Sequence, residues 1–402
     1  MKARFSSTIL LSIVLFLQGN AQSFESRLSD IKERRSSDNP AQILTEYDNL
    51  EQDLIATGED SLLGQLYHDL SVFYYLEDDY PNAISAALSA DSTRSITRDT
   101  VGRINTKFNL TIFYRDLGRL PEEARVLREL IALGFRPDQP KTVHALTKYC
   151  FVMREMGDYP TAIQHGVEAI RLSRLLDDPE QQLIRESSAH LDLATAYDYD
   201  AQYDSAFHHF AIAQAMFEEA GDMENMRSLI NNLGNLYRRQ GLPQEAIELF
   251  QRVLSAPAQF NLDDDDVLDF TNNLALAYKD RGEYDLAFGA IEEAQRRAWS
   301  LDAQAFRHKR ARVFDNIGAI LEAKGDFLAA AEHYQRAITT LIAVAEEQHF
   351  SINPDMSALD TCDNKIDLLV FLTDKARCLA RLGRDHLDAR MDQYALSTLE
   401  AA

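Results

Sequence analysis

Asn231-Asn232-Leu233-Gly234-Asn235-Leu236-Tyr237-Arg238-Arg239-Gln240-Gly241-Leu242-Pro243-Gln244-Glu245-Ala246-Ile247-Glu248-Leu249-Phe250-Gln251-Arg252-Val253-Leu254 decides the fold of this 402-residue chain. Two helical apolar patterns meet at Gly241, so the stretch reads as a helix, a glycine turn and a second helix. Gly234 and Ala246 leave room for close backbone approach, while Leu233, Tyr237, Ile247 and Phe250 fill the surrounding space at helical spacing. A hairpin of roughly 34 residues cannot bury both faces alone and implies neighbours of the same kind.

Those neighbours are present. The alanine of the second helix recurs at Ala83, Ala124, Ala162, Ala206, Ala246, Ala287 and Ala330, 38 to 44 residues apart. The aromatic before the turn recurs as Tyr74, Tyr114, Tyr197, Tyr237 and Tyr278, with Met153 and Leu321 in the other two hairpins. Turns of one type follow, as in Gly157-Asp158-Tyr159, Gly282-Glu283-Tyr284 and Gly325-Asp326-Phe327. This pattern resembles the tetratricopeptide repeat, in particular the long-period class of kinesin light chains, over roughly Gln65 to Ile338. The resemblance implies an all-α fold, a right-handed superhelical solenoid of antiparallel helix hairpins, whose role is to bind another protein.

The ends read differently. Lys2 and Arg4 precede an apolar run, Ile9 to Leu17, too short for the roughly 20 residues of a membrane span. Gly19-Asn20-Ala21 then supplies small residues for cleavage, so 1–21 reads as a signal peptide, with an exported, periplasmic or secreted, product and no membrane insertion after its removal. Residues 22–60, with Asn39-Pro40 marking a helix start, are expected to form capping helices. Seven repeats fill 61–345, a polar linker 346–364 follows, and 365–402 reads as a degenerate or incomplete repeat. Its Tyr394 to Ala402 segment reads either as a short closing helix or as the front of something longer, such as a signalling or caspase-like peptidase protein.

The formal charge of −23 repels phosphate backbones and anionic lipid, which argues against nucleic acid as a partner. Cys150, Cys362 and Cys378 are an odd set that does not make a disulfide framework. No pair of the ten histidines has the spacing of a zinc-protease helix, and no phosphate loop, dinucleotide glycine pattern or nucleophile elbow is present. Asp263-Asp264-Asp265-Asp266 lacks the order and the glycine of a calcium loop, and reads as favourable charge at a helix N-terminus. Neither cofactor, metal nor catalytic residue is expected.

Two polar sets remain. Asp69, Asn109, Asp192, Asn232, Asn273 and Asn316 recur on the first helices and would form a ladder. They read either as amides bonding the neighbouring repeat's backbone or as a grip on an extended peptide. Asn231, Asn235, Arg238, Arg239, Asn272, Lys279 and Arg312 would gather on the inner face of the fifth to seventh repeats, a groove for an acidic or carboxylate-bearing peptide. The competing reading pairs Arg238 and Arg239 with acids of the next repeat, such as Asp269 and Asp280.

Overall fold

The computed structural model describes residues 24–37, 39–133, 140–302, 306–343, 349–350, 353, 362, 365–386 and 389–401. The expected signal peptide, and all of the linker but residues 349, 350, 353 and 362, lie outside the described residues. Every regular element among the described residues is an α-helix, and none is long and apolar enough to cross a membrane. The chain divides into two compact units, Met1–Asp177 and Asp178–Ala402.

In the first unit, α1 (24–34) and α2 (Pro40–Thr57) precede three hairpins: α3 (Asp60–Leu76) with α4 (Tyr80–Ile96), α5 (Thr100–Asp116) with α6 (Leu120–Ala132), and α7 (Pro140–Glu155) with α8 (Tyr159–Ser173). Asn39 caps α2 by accepting the Ala41 N–H at 2.9 Å, with Pro40 in the first turn where its missing N–H costs nothing. Leu28, Ile31, Ile43, Tyr47 and Leu50 of this leading pair share one core with Leu66 and Phe73 of α3.

The second unit holds five hairpins. They are α9 (Pro179–Tyr199) with α10 (Tyr203–Ala220), α11 (Met223–Arg239) with α12 (Pro243–Ser255), α13 (Asp264–Arg281) with α14 (Tyr284–Ser300), α15 (Arg307–Lys324) with α16 (Phe327–Leu341), and α17 (Lys365–His386) with α18 (Ala389–Ala401). The last pair occupies the segment read from the sequence as a degenerate or incomplete repeat. Leu368, Phe371 and Leu372 of α17 join the core of α15 and α16.

Small residues set the hairpin geometry. A Cβ at Gly234 would stand 2.2 Å from the Phe250 ring, and one at Gly318 would stand 2.8 Å from Tyr334. An aromatic ring of the second helix thus rests on the first helix where no side chain intervenes. Ala83, Ala124, Ala162, Ala206, Ala246, Ala287 and Ala330 are all buried, as close helix approach requires.

The turns obey a backbone rule. Gly118, Gly157, Gly241, Gly282 and Gly325 adopt positive φ at the ends of first helices, and Ala201 takes the same conformation at φ 58°. A side chain there costs about 1–2 kcal/mol, partly offset by the greater chain entropy that glycine loses on folding. Ala201→Gly is therefore expected to stabilise the second unit by about 0.5–1 kcal/mol, read as a higher urea midpoint at unchanged slope.

All three cysteines are buried, and none is in a disulfide among the described residues. Burial pushes the Cys378 thiol up to about 12, and its Sγ–H donates to the Phe327 carbonyl, so it is a poor nucleophile.

Candidate functional site

Within the second unit the first helices contact one another directly, α9 with α11, α11 with α13, α13 with α15, and α15 with α17. Residues at the same helical position therefore form rows along one face. Asn232 donates from Nδ2 to the Thr195 hydroxyl at 3.3 Å, and Asn273 donates from Nδ2 to Asn231 Oδ1. At these two ladder positions the partner is a side chain of the preceding first helix, where sequence reasoning placed backbone. Helix backbone is already satisfied internally, which leaves side chains as the available acceptors. Asp192 and Asn316 are half-buried in the same row. In the first unit Asp69 is buried and accepts from the Arg35 guanidinium and the Tyr47 hydroxyl, while Asn109 is half-buried.

Beside the row, α11, α13 and α15 enclose a polar cavity of ≈ 140 Å³. Asn231, Asn235, Asn272 and Arg312 line it, so four of the seven groove residues converge. Lys309, Asp269 and Asn273 complete the polar wall, and Leu268 and Val313 supply the apolar part. Asn272 Oδ1 is buried without a hydrogen-bond partner. Arg238, Arg239 and Lys279 do not line the cavity.

The cations are already engaged. Arg312 makes a bidentate pair with Asp367 of α17, both contacts at 2.9 Å. Desolvation pulls the Arg312 pKa down, but the hydrogen bonds that its guanidinium donates to Asp367 outweigh it and the net shift is upward. Lys309 donates to Asp269 at 2.8 Å and forms an ion pair with Asp265, and these contacts likewise outweigh its desolvation and raise its pKa. Arg238 pairs with Asp280 at 2.8 Å and donates to Asn235 Oδ1 at 3.0 Å. Lys279 meets Asp280 at 3.1 Å.

Arg239 turns the other way, to Asp198 of the preceding hairpin, and lies 5.7 Å over the exposed Tyr199 ring. The acids foreseen for Arg238 and Arg239 were Asp269 and Asp280. Asp280 is taken by Arg238, while Asp269 faces Lys309. The Asp198 side chain is 1% exposed, so reversing the charge of Arg239 leaves a buried carboxylate opposed by another. Arg239→Glu is expected to destabilise the second unit by about 1–3 kcal/mol, and a thermal melt with an unchanged midpoint would contradict this.

Lys309 and Asp367 escaped the sequence reading. Lys309 stands one helical turn before Arg312, so the i, i+3 rule carried a signal for it. Asp367 lies 55 residues from Arg312, beyond the polar linker, and no local pattern joins them. The run Asp263 to Asp266 serves α13: Asp263 and Asp266 form a capping box, Asp265 holds Lys309, and Asp266 meets Arg227 at 3.1 Å.

Residues 184–259 match the family model of the tetratricopeptide repeat. No curated protein matches the chain. Among solved structures, the apo form of the quorum sensor NprR from B. thuringiensis is 13% identical with a TM-score of 0.55, the alignment covering 94% of this chain and 99% of that one. A Rap protein complexed with Competence and Sporulation Factor is 12% identical with a TM-score of 0.50, covering 81% and 99%. The nearly identical repeats of a kinesin light chain from Podosopora anserina are 19% identical with a TM-score of 0.41, covering 48% and 94%. At these identities the likeness is one of fold. The chain carries a tetratricopeptide-repeat segment at 184–259 within an all-α array of helical hairpins of the same kind.

Proposed function

We propose that this protein is a non-enzymatic interaction scaffold of the cell envelope that binds a peptide or helix of another protein on the first-helix face of its repeats. The observation that carries the reading is the polar cavity between α11, α13 and α15, where four residues of the expected groove meet and one amide oxygen has no partner in the fold. A buried polar atom left unsatisfied costs free energy that a bound partner can recover. The complex of a similarly folded Rap protein with Competence and Sporulation Factor supports the same use of the fold. The signal-like segment 1–21 supports the envelope location.

The test is cross-linking in the native envelope followed by affinity capture, with wild type and Asn235→Leu compared. Asn235 is half-buried on the cavity wall, and its removal leaves the apolar core intact. Recovery of the partner is expected to fall about tenfold, the worth of one hydrogen bond lost at a desolvated site, at a temperature where circular dichroism shows both proteins folded. Equal recovery by both proteins removes the cavity from the binding surface.

A further inference from the structure

The chemistry left unused in the cavity defines what it takes. The two cations of the wall, Lys309 and Arg312, are each paired, Lys309 with Asp269 of the wall and with Asp265, and Arg312 with Asp367 of α17. Each cation of the wall is therefore paired within the fold, so neither is held in reserve for an incoming anion. What remains is amide chemistry. Asn231 and Asn235 have their Oδ1 atoms taken by Asn273 and Arg238 and keep Nδ2 as donors, while Asn272 offers the unpartnered acceptor Oδ1.

We infer that this cavity selects an uncharged carboxamide side chain, Asn or Gln, of the bound segment and rejects a carboxylate. The inference rests on the proposed peptide-binding role and deepens it. A carboxamide carries both a donor for Asn272 Oδ1 and an acceptor for the Asn231 and Asn235 amides. A carboxylate offers acceptors alone, so one of its oxygens faces Asn272 Oδ1. An ammonium suits Asn272 but gives the two amide donors nothing. The cavity, ≈ 140 Å³, also has room for one polar side chain. This replaces the acidic partner that the count of basic residues suggests, because pairing within the fold cancels those charges.

The test uses nonapeptide pools, random except for a fixed central residue, passed over the immobilised mature protein and quantified by mass spectrometry. Pools fixed as Gln or Asn are expected to be retained about tenfold over pools fixed as Glu or Asp, the difference between a satisfied and an unsatisfied buried polar group. Asn272→Leu should abolish the preference, and Asn272→Asp should move it to the Lys and Arg pools. Circular dichroism melts establish that both variants fold, and Asn235→Asp, expected to move the preference in the same direction, serves if either does not. Equal retention of all pools, or best retention of the acidic or basic pools by the wild type, overturns the carboxamide assignment while leaving peptide binding standing. Retention of no pool above background overturns both.

Discussion

Phe250→Ala is expected to destabilise the second unit by about 3–5 kcal/mol, the cost of emptying a fully buried aromatic site. Phe250 is 0% exposed, and its ring covers the bare backbone at Gly234, 2.2 Å from where a Cβ would stand. It also shares one core with Phe217, Leu229, Leu236 and Phe270, so the loss reaches three successive hairpins. The converse change tests the same contact. Gly234→Ala forces the ring aside at about 1–3 kcal/mol, and in the double variant with Phe250→Ala the two costs add to less than their sum. Full additivity in a double-mutant cycle would mean that the two residues do not touch.

A rise of about 2 kcal/mol in stability between pH 7 and pH 9, absent in Lys375→Met, is the second large expectation. Lys375 is 0% exposed, and its Nζ donates to Gln335 Oε1 at 2.7 Å and Asn353 Oδ1 at 2.9 Å. These partners are neutral, so burial dominates and lowers the lysine from 10.5 to about 7. Between those values the unfolded chain holds a proton that the folded protein has released. Stability therefore increases with pH through that window, and the whole cost of the buried charge is present below pH 7. Urea denaturation of both proteins at pH 7, 8 and 9 checks this. Parallel slopes for wild type and variant would show that Lys375 titrates as an exposed lysine.

The hairpins were legible because their signals are local and repeated. Gly234, Tyr237, Gly241, Ala246 and Phe250 each do in the fold what their size and spacing imply, and the seven in-phase alanines are buried as read. Asn231, Asn235, Asn272 and Arg312 were also legible as one group, since equivalent positions of stacked first helices fall in rows. Pairing was not. Asp367 reaches Arg312 from a helix beyond the linker, and Arg239 chooses Asp198 of the hairpin before over any acid of the hairpin after. Which of many carboxylates meets a given guanidinium depends on the rotation of one repeat on the next, which no spacing within a repeat encodes. The charge of a groove therefore has to be read after the pairs are known, and here that reading turns a basic patch into an amide-lined one.

The central claim, that the face formed by α11, α13 and α15 receives a partner segment, is tested most directly by site-specific photo-cross-linking in cells that express the protein. A benzophenone side chain at Asn235, on the cavity wall, is compared with one at the exposed Arg252 of α12. The account predicts one discrete adduct at position 235 and none at position 252. The same adduct at both positions, or at 252 alone, would contradict it.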